Sequence, residues 1–223
     1  MVILISIEGN IGSGKSTLVS RLKDFYKDNQ NVYFLDEPVN DWLTIKDNDG
    51  EDILTKFYSD TKKYAFPFQM MAYITRIHLL RKALRENPNR IFITERSVLT
   101  DKNVFAKMLH DDGMIESINY EIYNRWFDEF VEVNDIKVIY VNTEPEKCYE
   151  RILLRNRPGE VIGLDYLKRC DEYHNNWLED NNYKILEFDG NEDKDLDDEK
   201  SYNDWIKTIN ITIGQHYVSS LEC

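Results

Sequence analysis

The sequence predicts an α/β fold, a five-stranded parallel sheet flanked by helices, with all 223 residues in one domain. Three observations predict it. Five short apolar runs alternate with stretches of helical spacing, the order that produces parallel strands covered on both faces. The first run, Val2-Ile3-Leu4-Ile5-Ser6-Ile7, leads into a glycine loop and then a helix. The residues able to do chemistry follow strand ends, where open α/β sheets place ligands.

Taken in order, the first run is a buried strand, and Leu18, Val19, Leu22, Phe25 and Tyr26 mark the helix after the loop. Asn31-Val32-Tyr33-Phe34-Leu35 is a second strand, stopped at Pro38, which cannot donate to a ladder. Residues 40–49 read as a loop with a helical start. Ile53, Leu54, Phe57 and Tyr58 have helical spacing, and a longer helix runs from Tyr64 through Ala83 to a break at Asn87-Pro88. Ile91–Thr94 is the third strand. Val104, Phe105, Met108 and Leu109 mark a helix ending near Gly113, and residues 115–133 an amphipathic helix rich in aromatic rings. Ile136–Val141 is the fourth strand. A helix from about Glu144 to Pro158-Gly159 carries Arg151, Arg155 and Arg157, and another spans 165–178. Tyr183–Phe188 is the fifth strand, followed by an acidic loop at 189–200 and a last helix at 202–217.

The loop Gly9-Asn10-Ile11-Gly12-Ser13-Gly14-Lys15-Ser16-Thr17 fits G-x-x-x-x-G-K-[ST] in the strand–loop–helix setting that this pattern requires. Its glycines let backbone N–H groups turn inward, and the following helix aims its positive end at the same point. Lys15 is placed for the β- and γ-phosphates, and Ser16 for Mg²⁺. A plain glycine turn is the alternative, but both flanks favour a nucleoside triphosphate. The fold class is then the P-loop NTPase-type three-layer sandwich.

Composition narrows the rest. Lys and Arg number 28 against 41 Asp and Glu, a net charge of −13. That balance opposes a nucleic-acid-binding surface and leaves room for a small anion in a locally basic pocket. No apolar run reaches the ~18 residues of a membrane span. Met1 leads directly into the first strand, so the expectation is a cytoplasmic protein without a leader. Cys148, Cys170 and Cys223 lie far apart without metal spacing, and the four histidines form no metal pattern.

Glu37 ends the second strand; it is either a solvated loop carboxylate or a general base for a hydroxyl. Glu95-Arg96 ends the third, where P-loop proteins hold their metal; an ordinary ion pair is the alternative. Arg151, Arg155 and Arg157, at i, i+4 and i+6, are a solvated basic face or a lid over phosphates. Gln69 and Arg76, seven apart, share one helix face, and a glutamine amide can pair two ways with a base edge. The rings of Trp42, Phe57, Tyr58, Phe68 and Phe105 read singly as core.

Glu37-Pro38-Val39, Pro67-Phe68-Gln69, Glu95-Arg96-Ser97 and Arg151-Ile152-Leu153-Leu154-Arg155-Asn156-Arg157, with the glycine loop, resemble the deoxyribonucleoside kinases. The resemblance runs from the first strand to the acidic loop. It implies transfer of the γ-phosphoryl of ATP to the 5′-hydroxyl of a deoxynucleoside. Glu37 matches the family's catalytic base, Arg96 the arginine that holds that base, and Glu95 the acid at Mg²⁺. Arg151, Arg155 and Arg157 match the lid arginines (lid about 151–163), and Tyr58 with Glu160 the pair on the sugar 3′-hydroxyl. Gln69 matches the residue that reads the base, walled by Trp42, Phe68 and Phe105. Glu192 and Asp193 fall in the donor-base loop, about 189–200. Arg76 and Asp101 match the polar pair of the deoxycytidine and deoxypurine kinases, which implies preference for those nucleosides over thymidine. A homodimer joined through a helix bundle is implied, with Val104–Leu109 and Ile115–Val133 as its source. Two departures stand out: the lid is slightly short, with Pro158-Gly159 where acids are common, and Lys194 replaces an aromatic of the donor loop, leaving the choice of triphosphate open. The rival readings are a nucleoside monophosphate kinase of the thymidylate kinase type and a non-enzymatic P-loop switch.

Overall fold

The computed structural model describes residues 3–88, 90–131, 136–157, 160–179, 183–192 and 199–221. In chain order the elements are β1 (Ile3–Glu8), α1 (Lys15–Tyr26), β2 (Val32–Leu35), α2 (Val39–Leu43), α3 (Ile53–Ser59), α4 (Thr61–Glu86), β3 (Ile91–Glu95) and α5 (Val98–Thr100). A π-wound turn (Asp101–Ala106) follows, then α6 (Lys107–Asp111), α7 (Ser117–Phe130), β4 (Ile136–Asn142), α8 (Pro145–Arg155), α9 (Leu164–Glu179), β5 (Lys184–Asp189) and α10 (Glu199–Leu221).

The five strands are parallel and lie in the order β2-β3-β1-β4-β5. All six residues of β1 are buried, because successive side chains leave opposite faces and both faces are covered. Ile3, Ile5 and Ile7, with Ile93 and Ile139, pack on Leu18, Val19 and Leu22 of α1 and on Ile206, Ile209 and Ile213 of α10. Leu4, with Phe92, Val138 and Tyr140, packs on Tyr73, Leu80 and Tyr123 from α4 and α7. The chain leaves β1 toward one edge and leaves β3 toward the other. The carboxyl ends of these two neighbours therefore open the crevice in which such sheets bind ligands.

Local chemistry sets the helix starts. Asp52 and Asp60 cap α3 and α4, their carboxylates accepting from Thr55 N at 2.9 Å and Lys63 N at 3.2 Å. Pro145 opens α8, where a missing N–H costs nothing. Asn156 ends that helix in a left-handed conformation, φ 43°.

Three expectations need correcting. The helix marked by Val104 begins earlier, at Val98, and its middle turn has π winding. Val104, Ala106, Met108 and Leu109 are buried within the chain's own core, so they offer no dimer surface. Arg157 lies beyond the end of α8, because Asn156 turns the backbone out of the helix. Phe25, one of the residues that mark α1, is half exposed. Cys148 and Cys170 are free and buried, whereas Cys223 lies outside the described residues. Among the described residues no helix is long and apolar enough to cross a membrane.

Glu8 closes β1 with no exposed surface. Its Oε1 accepts from the hydroxyls of Ser6, Ser97 and Thr100, which ties β1 to the turn after β3. Burial raises its pKa against the pull of those hydroxyls and of Arg96. Glu8→Ala would remove the acceptor that three hydroxyls share and open a void, a loss of roughly 2–4 kcal/mol. Glu8→Gln keeps the accepting oxygen and should lose less. Urea unfolding of the two variants against wild type checks that order.

Candidate active site

The loop after β1 is drawn tight by Ser13 N donating to Asn10 O at 3.2 Å. Gly12 has φ 83°, and a Cβ there would sit 2.6 Å from the carbonyl oxygen of Cys148 in α8. Only glycine combines that backbone with that approach. Gly9, Asn10 and Ser13 lie beneath the surface of the loop, Asn10 anchoring it to Leu167 O at 2.8 Å. Ile11, Gly12, Gly14, Lys15, Ser16 and Thr17 face an open cleft of about 810 Å³. Lys15 Nζ folds back to Asn10 O at 2.6 Å. Burial, reinforced by Arg96, pulls its pKa down to about 8 against the carboxylates of Glu95 and Glu37. A phosphate tail is the kind of anion that favours its charged form.

Ser16 Oγ donates to Glu95 Oε1 at 2.7 Å on the cleft wall. A hydroxyl and a carboxylate are hard oxygen donors. They fit Mg²⁺, which takes one or two protein ligands and completes its shell with water and phosphate. Among the described residues no cluster of three or more Asp, Glu, His or Cys forms a closed cage.

Glu37 follows β2, and the fold brings two arginines onto it that are distant in sequence. Its Oε1 accepts from Arg96 Nη1 and from Arg76 Nη2, each at 3.1 Å. Burial alone would raise its pKa; Arg96, Arg76 and Lys15 override that and hold it at about 2. Arg96 sits at φ 59°, unusual for a side chain larger than glycine. It is pinned there by its N–H on Ile7 O at 3.0 Å and by Thr94 Oγ1 on its carbonyl at 2.9 Å. Its guanidinium lies 5.1 Å from the ring of Phe105, a cation–π distance.

Arg76 uses all three faces of its fork. Besides Glu37, Nε donates to Asp101 Oδ2 and Nη1 to the carbonyl of Glu95, both at 2.9 Å. Asp101 is buried in the π turn, and that burial raises its pKa against the pull of Arg76. Gln69 lines the same cleft, and its buried Oε1 has no partner among the described residues, an acceptor left for a ligand. Phe68 stacks on Phe57 at 4.7 Å and meets Trp42 edge-on at 5.3 Å. Trp42 Nε1 donates to Thr75 Oγ1 at 3.0 Å. These rings are therefore core and cleft wall together. Burial, with Glu160 nearby, raises the pKa of Tyr58.

At the other end, Arg155 Nη2 donates to Glu160 Oε1 at 2.6 Å and Nε to Oε2 at 3.0 Å. Arg151 Nη2 reaches Glu192 O at 3.0 Å. Arg151, Arg155, Arg157 and Glu160 all line the cleft, and Glu192 is joined to it by its carbonyl bond from Arg151. Asp193, Pro158, Gly159 and Lys194 lie outside the described residues. Sequence reasoning missed the bond from Arg76 to Glu37, and it missed Leu54 and Tyr166, which also line the cleft. Tyr166 carries no motif, only a position on the buried face of α9.

Sheet, glycine loop and basic cleft define a P-loop NTPase-like kinase fold. Comparison with known proteins narrows the class. A deoxynucleoside kinase family model matches residues 5–214. A probable deoxycytidine kinase of fowlpox virus is 37% identical over 223 residues, covering 96% of this chain and 89% of the relative. Rat deoxycytidine kinase is 33% identical over 196 residues, covering 78% of this chain and 74% of its own. Human mitochondrial thymidine kinase 2 is 30% identical over 179 residues, covering 78% and 64%. The chain belongs to the deoxynucleoside kinase family and is an ATP-dependent kinase.

The Glu37 pKa of about 2 lies below its ordinary 4.5. The charged carboxylate thus stabilises the fold above the ordinary value, and that contribution is lost as pH falls toward the folded one. Unfolding free energy should drop more in wild type than in Glu37→Gln between about pH 7 and about pH 3. Equal drops in urea melts would show that the guanidiniums do not hold this charge.

Proposed function

We propose that this chain phosphorylates the 5′-hydroxyl of a deoxynucleoside, with deoxycytidine or a deoxypurine preferred over thymidine. The supporting observation is that the glycine loop and Glu37 line one and the same cleft. Both arginine bonds fall on Oε1 of Glu37, so Oε2 takes neither of them and can receive a proton. A carboxylate with so low a pKa is a weak base toward a resting alcohol. The alcohol proton becomes acidic as its oxygen bonds to phosphorus, so the proton leaves late, in keeping with a loose phosphoryl-transfer transition state.

In this reading the glycine loop and Lys15 cradle the triphosphate, and Arg151, Arg155 and Arg157 close on the transferring group. Ser16 and Glu95 would hold Mg²⁺, which when bound neutralises charge on the β- and γ-oxygens. Arg96 aligns Glu37 and the attacking oxygen. Tyr58 and Glu160 hold the 3′-hydroxyl, which requires Glu160 to release Arg155. Gln69 reads the base between Trp42, Phe68 and Phe105. The carboxylate of Asp101 favours bases bearing an exocyclic amino group. Glu192 and Asp193 border the donor's base. Residues 1–223 act as one catalytic unit with a lid at about 151–163, in the cytoplasm. The dimer reading keeps α7, within the stretch Ile115–Val133, and adds α4: Ile74, Ile118, Ile122 and Trp126 are exposed there, a patch suited to a second copy.

Glu37→Gln should lower kcat roughly 10²–10⁴-fold while ATP and nucleoside still raise the melting temperature; retained turnover removes Glu37 as the base. Relative kcat/KM for the four deoxynucleosides tests the preference, and thymidine as best substrate overturns it. Running nucleosides beside their monophosphates separates this reading from a monophosphate kinase. Asp101→Ala with Arg76→Met should raise the thymidine-to-deoxycytidine ratio of kcat/KM at least about tenfold, on the order of one lost charged pair; an unchanged ratio counts against the pair as selector.

A further inference from the structure

Arg76 is more than one half of a base-reading pair in its geometry. Its side chain is 6% exposed, and its three nitrogens run to three different parts of the site. Nε goes to Asp101 and Nη2 to Glu37, while Nη1 holds the carbonyl of Glu95 at the end of β3. A guanidinium is planar and rigid, so these three directions are fixed relative to one another. A shift of Asp101 cannot leave the Glu37 end of the fork in place. The Arg76 bond to Glu37 is as long as that of Arg96, 3.1 Å, and falls on the same oxygen. Two donors on Oε1 set the plane of the carboxylate and so the direction in which Oε2 meets a substrate oxygen.

We infer that Arg76 is a positioning residue for the general base, passing the seating of the nucleobase at Asp101 on to the carboxylate of Glu37. This rests on the kinase reading above and deepens it. A selector acts only through the base it touches. A positioning residue also matters when the acceptor has no base.

The test compares kcat/KM for deoxycytidine and for 1,2-dideoxyribose, a sugar with the 5-hydroxyl and no base. Arg76→Met is introduced into Asp101→Ala, so that no buried carboxylate is left without its partner. Loss of the Arg76 bond should reduce the rate with the base-free sugar roughly 10- to 100-fold, the worth of a charge-assisted hydrogen bond. With Glu37→Gln also present, the same substitution should change that rate less than about threefold, since coupled residues are not additive. An unchanged rate with the base-free sugar overturns the inference. So does an equal loss with and without Glu37. Arg76→Lys in otherwise wild-type protein, which keeps charge and bulk but not the three-way fork, carries both comparisons if the multiple variants do not fold. If Glu37→Gln alone leaves deoxycytidine turnover intact, the kinase reading of Glu37 has failed. If it abolishes turnover while Arg76 proves silent with the base-free sugar, only the present inference falls.

Discussion

The site depends on a single carboxylate oxygen shared by two buried guanidiniums. Burying three charges together costs several kcal/mol in desolvation unless every partner is held in good geometry. Three separate elements hold them. Glu37 follows the end of β2 at Leu35, Arg96 is pinned in a left-handed turn after β3, and Arg76 projects from the long helix α4. The register of β1 against β3, with Ile7 opposite Glu95, lets Ile7 O reach Arg96 N. The geometry of the cluster is thus fixed by the sheet, while the partners come from loops and helices around it.

The charge distribution follows the same logic. The chain carries an excess of 13 negative charges, yet Lys15, Arg76, Arg96, Arg151, Arg155 and Arg157 all line one cleft. Such an arrangement repels polyanions from the outside and focuses attraction for a small anion within. The cations are not idle meanwhile. Lys15 rests on its own loop, Arg155 on Glu160 and Arg151 on Glu192 O. Ligand binding then exchanges protein partners for phosphate and hydroxyl groups rather than filling a void of bare charge.

Much of this was legible in the residues. The glycine loop is a local pattern with a local cause, and five apolar runs gave the five parallel strands. Glu37, Glu95 and Arg96 were visible because strand ends in such folds face the ligand. The contact of Arg76 with Glu37 was not, since it joins residues 39 apart across two elements and no periodicity encodes that meeting. Arg157 was misplaced because helical spacing continues through Asn156, whose left-handed turn is a matter of backbone rather than pattern. Val104 to Leu109 read as a surface for a partner because their apolar spacing is the same whether they face a neighbour or the chain's own core.

The π winding at Asp101–Ala106 sets a particular rule for change. A π turn holds one residue more than an α turn, and here that surplus lies between the end of β3 and α6. Exchanging side chains within the coil alters only what they touch. Deleting one residue would tighten the thread and rotate everything on one side of it by about 100°, one step of an ordinary helix. Asp101 would swing off its arginine while Met108 and Leu109 stayed anchored. Substitution in this coil can therefore retune the contacts of Asp101 with the frame intact, whereas a change in the coil's length would dismantle the pairing with Arg76.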